Sequence, residues 1–192
     1  MTQTLDILGL CGSLRSASIN RMALRLAGES MPAGMQLDIA DIRDIPFFDG
    51  DVMAGGFPPA VAALRERIRR ADGVVIASPE YNFSTPGVLK NTLDWVSRGD
   101  DQPFAFKPVA ILSATPGPLG GARMQYDLRR VMLFMNGQVL SKPEVFIGGA
   151  QGKFSGDGQC TDATTRQFVV AQMAAFQRWI AAVRRLDMPS AI

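Results

Sequence analysis

The side chains best suited to chemistry lie in two short segments, Gly12-Ser13-Leu14-Arg15-Ser16-Ala17-Ser18-Ile19-Asn20 and Pro79-Glu80-Tyr81-Asn82. The first joins a glycine, which lets the backbone turn closely, to polar donors at Ser13, Ser18 and Asn20 and a guanidinium at Arg15. A terminal phosphate is an anion rich in acceptor oxygens. The unpaired N–H groups and positive dipole end of a helix N-terminus suit it, and an arginine adds a charge-assisted contact. The same composition also describes a capped strand-to-helix turn with an exposed arginine. The GK[ST] ending of a triphosphate loop and the GxGxxG of dinucleotide binding are both missing.

The second segment offers backbone amides to the edge of a flat heterocycle, and Tyr81 offers an apolar wall. Tyr81 is equally readable as a half-buried packing residue, and Glu80 as a helix-capping or intersubunit carboxylate. Ser113 and the glycine-rich loop 117–121 follow a later apolar run and can approach the same ring. A phosphate cradle and a ring wall on one sheet edge describe a site for flavin mononucleotide (FMN).

What is missing narrows the chemistry. The chain has no histidine, which excludes Ser-His-Asp and Cys-His catalysis and any His-ligated zinc. A group brought in from outside must then carry the reaction. Cys11 and Cys160 show no CxxC or metal-type spacing, and Cys11, at the end of an apolar run, reads as a buried reduced thiol. A net charge of +2 with scattered basic residues gives no support to nucleic-acid binding. The sequence pI near 8.7 speaks against a strongly acidic electron carrier. No window approaches a membrane span, and Met1-Thr2-Gln3-Thr4 lacks the pattern of a signal peptide. A reducing cytoplasm is the expected setting.

These segments need elements to hold them. Leu5-Asp6-Ile7-Leu8-Gly9-Leu10 predicts a buried strand, and Ile19, Met22, Ala23, Leu26 and Ala27 the stripe of a helix over about 18–31, capped by Ser18. A strand at 36–40 precedes a turn-rich stretch over 45–59. A helix with Val61, Leu64 and Ile68 follows, its Arg65, Arg67, Arg69 and Arg70 forming a solvated face. Gly73-Val74-Val75-Ile76-Ala77 is the clearest central strand. Thr85 and Pro86 form an N-cap and N1 pair for a helix over 86–98. A strand at 109–113, a helix with Met124, Leu128, Val131, Met132 and Met135, a fifth strand within 138–147, a loop over 148–158 and a closing helix over about 162–185 complete the chain. Alternating strands and helices predict a single domain, 1–192, with a three-layer α/β/α fold. Its five-stranded parallel sheet takes the flavodoxin-like order 2-1-3-4-5.

The pieces Gly12-Ser13-Leu14-Arg15 with Ser18 and Asn20, Pro79-Glu80-Tyr81-Asn82, Ser84, Pro86-Gly87, Leu89-Lys90-Asn91 and Leu93-Asp94-Trp95 resemble the NADPH-dependent FMN reductase family, which includes bacterial chromate, quinone and azo-dye reductases. The likeness covers the amino-terminal two thirds and is loose beyond it. It implies FMN held at the phosphate by Ser13, Arg15, Ser18, Ile19 and Asn20, and at the ring by Pro79, Glu80, Tyr81 and Asn82 with Ser113 nearby. NADPH or NADH would reduce the flavin at N5 and a quinone, azo dye, free flavin or metal ion would then reoxidise it, with no side-chain acid or base. One shared flavin face makes ping-pong turnover the expectation. The rival is a flavodoxin-like electron carrier, or a regulatory flavoprotein, without NAD(P)H turnover. Family members form homodimers or homotetramers through the helix after the second motif, where Trp95 reads as an interface anchor or a core residue, with the interface favoured. Arg123, Tyr126 and Glu144 could form a second polar interface.

Overall fold

The computed structural model describes residues 4–186; Met1, Thr2 and Gln3, part of the segment searched for a signal peptide, and 187–192 lie outside the described residues. Strands β1 (Leu5–Cys11), β2 (Met35–Ala40), β3 (Gly73–Ala77), β4 (Pro108–Ala114), β5 (Gln138–Val139) and β6 (Val145–Ile147) form one parallel sheet. Its order is β2-β1-β3-β4-β5, as the alternating pattern predicts. Every residue of β3 and β4 is buried, which is why their apolar runs show no alternation.

The α-helices among the described residues are α1 (Ile19–Glu29), α2 (Gly50–Ala54), α3 (Pro59–Arg70), α4 (Gly87–Val96), α5 (Ala122–Phe134) and α6 (Ala163–Val183), and all but α2 pack on the sheet. Successive strand side chains point to opposite faces, so two cores form. Ile7, Val75 and Leu112 meet Leu24 and Ala27 of α1 and Phe176 and Ile180 of α6. Leu8, Val74 and Ile111 meet Ile68 of α3, Leu93 of α4 and Leu128 of α5.

The fold departs from the sequence reading at several places. The fifth strand is two pieces, β5 pairing with Pro108 and Val109 and β6 with residues 112–114 of β4. Pro143 lies between them and has no N–H for a ladder. Arg65 is not on a solvated face but 3 % exposed, donating to the carbonyls of Val96 at 2.5 Å and Arg98 at 2.6 Å. Trp95 is core rather than interface. It is fully buried, donates to Pro46 O at 2.8 Å and meets the Phe48 ring edge-on at 4.9 Å. The stretch over 45–59 contains α2, whose N-cap Asp49 accepts from Asp51 N at 2.8 Å. Thr85 does not cap α4: Pro86 holds the N-cap position and the Thr85 hydroxyl turns to Asp127.

Candidate active site

Carboxyl ends of neighbouring parallel strands with their βα loops form the usual ligand edge of such a sheet, and the two segments meet there. Gly12 N donates to Ala77 O at 2.8 Å, binding the end of β1 to the end of β3. A Cβ on Gly12 would lie 2.2 Å from Ser78 Oγ and 2.7 Å from Ser78 Cβ, so only glycine permits this approach. Ser18 caps α1, its hydroxyl accepting from Arg21 N at 3.3 Å. The N–H groups of Ile19 and Asn20, first in the helix, have no intrahelical acceptor. Beneath the loop the Cys11 thiol donates to Ser13 O at 3.5 Å. Burial pushes this thiol above its ordinary pKa, so it stays neutral at pH 7 and places no anion under the cradle.

A cleft of about 370 Å³ opens here, within the size range of small-molecule sites. Its walls are Ser13, Arg15, Ser18, Ile19 and Asn20 on one side and Pro79 and Tyr81 on another. Tyr81 is 50 % exposed, a flat surface half open to a ligand. Of the residues expected at the site, the structure thus brings together the Arg15 guanidinium, the Ser13 and Ser18 hydroxyls, the first two N–H groups of α1 and the Tyr81 ring.

The remaining predicted residues sit differently. Asn20 is buried with both ends of its amide on Ala114, Nδ2 donating to the carbonyl at 2.8 Å and Oδ1 accepting the N–H at 2.9 Å. It fastens α1 to the end of β4, leaving its backbone N–H rather than its side chain to a ligand. Ser113, expected near the ring, is fully buried and outside the cleft wall, donating to Gly120 O and accepting from Gln125 at 2.8 Å. Gly120, at φ 59°, would drive a Cβ to 2.7 Å from the Phe146 carbonyl carbon and 2.9 Å from Gly148 N, so loop 117–121 packs tightly on the end of β6 and the chain just after it. Glu80 is helix-capping: it accepts from Arg123 Nε at 2.6 Å and Met124 N at 3.3 Å at the start of α5. Asn82 is at the exposed tip of a turn, outside the cleft wall. Arg123 is committed to Glu80 and Glu144 to Lys142, so two of the three side chains assigned to a second polar interface are paired within the chain.

Sequence reasoning missed one wall. Ala150, Gln151, Phe154 and Ser155 close the cleft from the last third of the chain. The segment was legible only as a glycine-rich loop; its position after the last strand, on the same sheet edge, was the available signal. A depression of about 450 Å³ at the opposite end of β1 and β2 is the poorer candidate. Its polar groups answer one another, Arg67 donating to Asp38 at 2.8 Å and Gln36 to Asp6 at 2.5 Å, and its lining includes no βα loop among the described residues. Among the described residues no group of His, Cys, Asp and Glu is placed to hold a metal ion, and no helix is long and apolar enough to cross a membrane.

Residues 5–152 match the NADPH-dependent FMN reductase family. An NAD(P)H-dependent FMN reductase of Pseudomonas aeruginosa is 47% identical over 184 residues, covering 96% of this chain and 100% of its own. A quinone reductase of Escherichia coli is 44% identical over 187 residues, again covering 96% and 100%. Among solved structures, FerB, an NAD(P)H:(acceptor) oxidoreductase from Paracoccus denitrificans, superposes with a TM-score of 0.85 at 30% identity, covering 93% of this chain and 98% of that one.

Proposed function

The chain belongs to the NADPH-dependent FMN reductase family, and we propose that the cleft at the carboxyl ends of β1, β3 and β4 is its FMN site. As a family member it is an FMN-dependent NAD(P)H oxidoreductase with quinones as acceptors. One observation carries the assignment of the site. An anion-ready helix start and a half-exposed aromatic wall share one cleft of cofactor size.

The residues present fit the group. Arg15, Ser13, Ser18 and the N–H groups of Ile19 and Asn20 would hold the phosphate, and Pro79 and Tyr81 would wall the ring, with Asn20 and Ser113 as braces. Glu80 and Asn82 flank this wall without lining it, and the Glu80 carboxylate holds α5. When bound, FMN supplies the chemistry, accepting hydride from NAD(P)H and passing it to the acceptor. The chain's share is to orient the cofactor and to keep its exposed face free for one partner at a time.

Titration of the purified protein with FMN tests the site, and initial rates test the shared face. Varying NADPH at several quinone concentrations should give parallel double-reciprocal lines, with excess NADPH competing against the quinone. No FMN binding would remove the reading; intersecting lines would leave the site but demand separate places for donor and acceptor.

Self-association through the face beside α4 belongs to the same reading. Loop 45–48 lies along that helix, with Asn91 Nδ2 donating to Pro46 O at 2.7 Å and Asn91 Oδ1 accepting from Phe48 N at 2.8 Å. That leaves the Phe47 ring 88 % exposed, an aromatic of the kind that anchors interfaces. Light scattering should give a dimer or tetramer that Phe47→Asp shifts to monomer; an unchanged mass would move the interface elsewhere.

A further inference from the structure

The turn between β3 and α4 is bent against the preferences of its own residues. Asn82 and Phe83 have φ of 51° and 67° in succession. Across them Ser84 N donates to Tyr81 O at 3.0 Å and Tyr81 N to Ser84 O at 3.2 Å. Two left-handed residues in a row make a mirror-image turn that suits Asn and Gly. Phenylalanine in that conformation is strained. Phe83 is largely exposed, so burial of its ring does not hold it there.

The restraint comes from α5. One oxygen of Asp127 accepts from the Ser84 hydroxyl, from Thr85 N at 3.1 Å and from the Thr85 hydroxyl at 3.2 Å. On the other side of the strained pair, Glu80 is bound to the start of α5 through Arg123 and Met124 N, and the Arg123 guanidinium lies 3.7 Å from the centre of the Phe83 ring. The turn is pinned to one helix on both flanks, and Tyr81, which lines the cleft, sits between the pins. The Ser84 hydroxyl and the Thr85 groups also hold the Asp127 carboxyl below its ordinary range, against a weaker opposing effect of burial, so it is the charged acceptor at neutral pH.

We propose that Asp127 is a positioning residue for the cofactor site, holding the 81–84 turn in its strained form and so presenting Tyr81 to the ligand. Asp127 is not part of the cleft wall and acts only through the turn. The inference rests on reading the cleft as the FMN site. Strain held at a ligand clamp is a known use of such backbone. Without the carboxylate the turn relaxes, the competent fraction falls, and apparent affinity falls with it.

The test is FMN titration of the stripped protein, followed by flavin fluorescence and by the visible circular dichroism of the bound flavin. Asp127→Ala should weaken FMN by about tenfold and alter the dichroism, through the smaller competent fraction. Asp127→Asn keeps an acceptor oxygen and should stay within about threefold of the parent. The deciding variant is Phe83→Gly placed on Asp127→Ala. Glycine adopts this conformation without strain, so affinity should return to within about threefold of Phe83→Gly alone. If Asp127→Ala binds FMN like the parent, the proposal falls. It falls too if glycine gives no rescue, since Asp127 would then be a general packing residue. Should Asp127→Ala fail to fold, an Asp127→Asn protein that loses FMN as severely as the Ser84→Ala, Thr85→Val double variant overturns the proposal, and retention supports it. Failure of the parent itself to bind FMN would fault the site reading instead.

Discussion

Arg65→Met should lower the melting temperature by about 6–12 °C, the change expected for roughly 3 kcal/mol in a chain of this size. Arg65 leaves α3 and enters the space behind the end of α4. There it donates to Val96 O at 2.5 Å, Arg98 O at 2.6 Å and Asp101 O at 3.1 Å, pairs with the Asp101 carboxylate, and lies 4.2 Å from the centre of the Phe57 ring. These carbonyls belong to a helix end and the turn after it, where acceptors lack intrahelical donors. Burial lowers the pKa of the guanidinium while the Asp101 charge opposes that shift, and arginine remains charged at any physiological pH. Methionine restores the volume and none of the donors. Losing one member of a buried pair costs about 3–5 kcal/mol, and the lower figure applies because Asp101 is half exposed and rehydrates. Arg65→Lys should recover less than half of the loss, since a point ammonium cannot span a fork of carbonyls. Thermal and urea unfolding measure both. A methionine variant within about 1 kcal/mol of the parent would show that the carbonyls find water as readily as they find Arg65.

The same residue shows what was legible in the sequence. Val61, Leu64 and Ile68 mark the buried stripe of α3, and position 65 falls at i+4 of it. Residue type, not position, misassigned Arg65 to the surface. Strand order, the cap at Ser18 and the joining of residues 13–20 to Pro79 and Tyr81 follow from patterns within single segments. What stayed hidden depends on partners distant in sequence. Trp95 is core because Pro46 and Phe48 cover it, and no local pattern announces a loop folding back over a helix. Asn20 and Ser113 have donor and acceptor types that suit a ligand equally well. Only the positions of Ala114 and Gly120 reveal that their hydrogen bonds are already made. Likewise the wall at Gln151 and Phe154 is an irregular loop whose place is set by tight packing of the chain after β6 on loop 117–121.

Arg15→Ala should weaken FMN by about ten- to a hundredfold, the loss of one charge-assisted hydrogen bond of roughly 1.5–3 kcal/mol, and leave riboflavin within about twofold. The two ligands share a ring and a ribityl chain and differ in the phosphate, so their ratio isolates that end of the cleft. Arg15 is exposed at the rim, where water and salt screen its charge. The loss should therefore sit nearer tenfold in physiological salt and grow as salt is withdrawn. Ser18→Ala offers the contrast. It removes a hydroxyl from the cradle and also the cap of α1, which accepts from Arg21 N, so it should lower stability by about 1 kcal/mol as well as FMN affinity. Arg15→Ala should leave the melting temperature of the stripped protein unchanged, because its side chain braces no element. Parallel fluorescence titrations with FMN and riboflavin at two salt concentrations decide the matter. Equal losses for the two ligands, or a loss indifferent to salt, would take Arg15 off the phosphate and leave the helix start and the two serines to hold it.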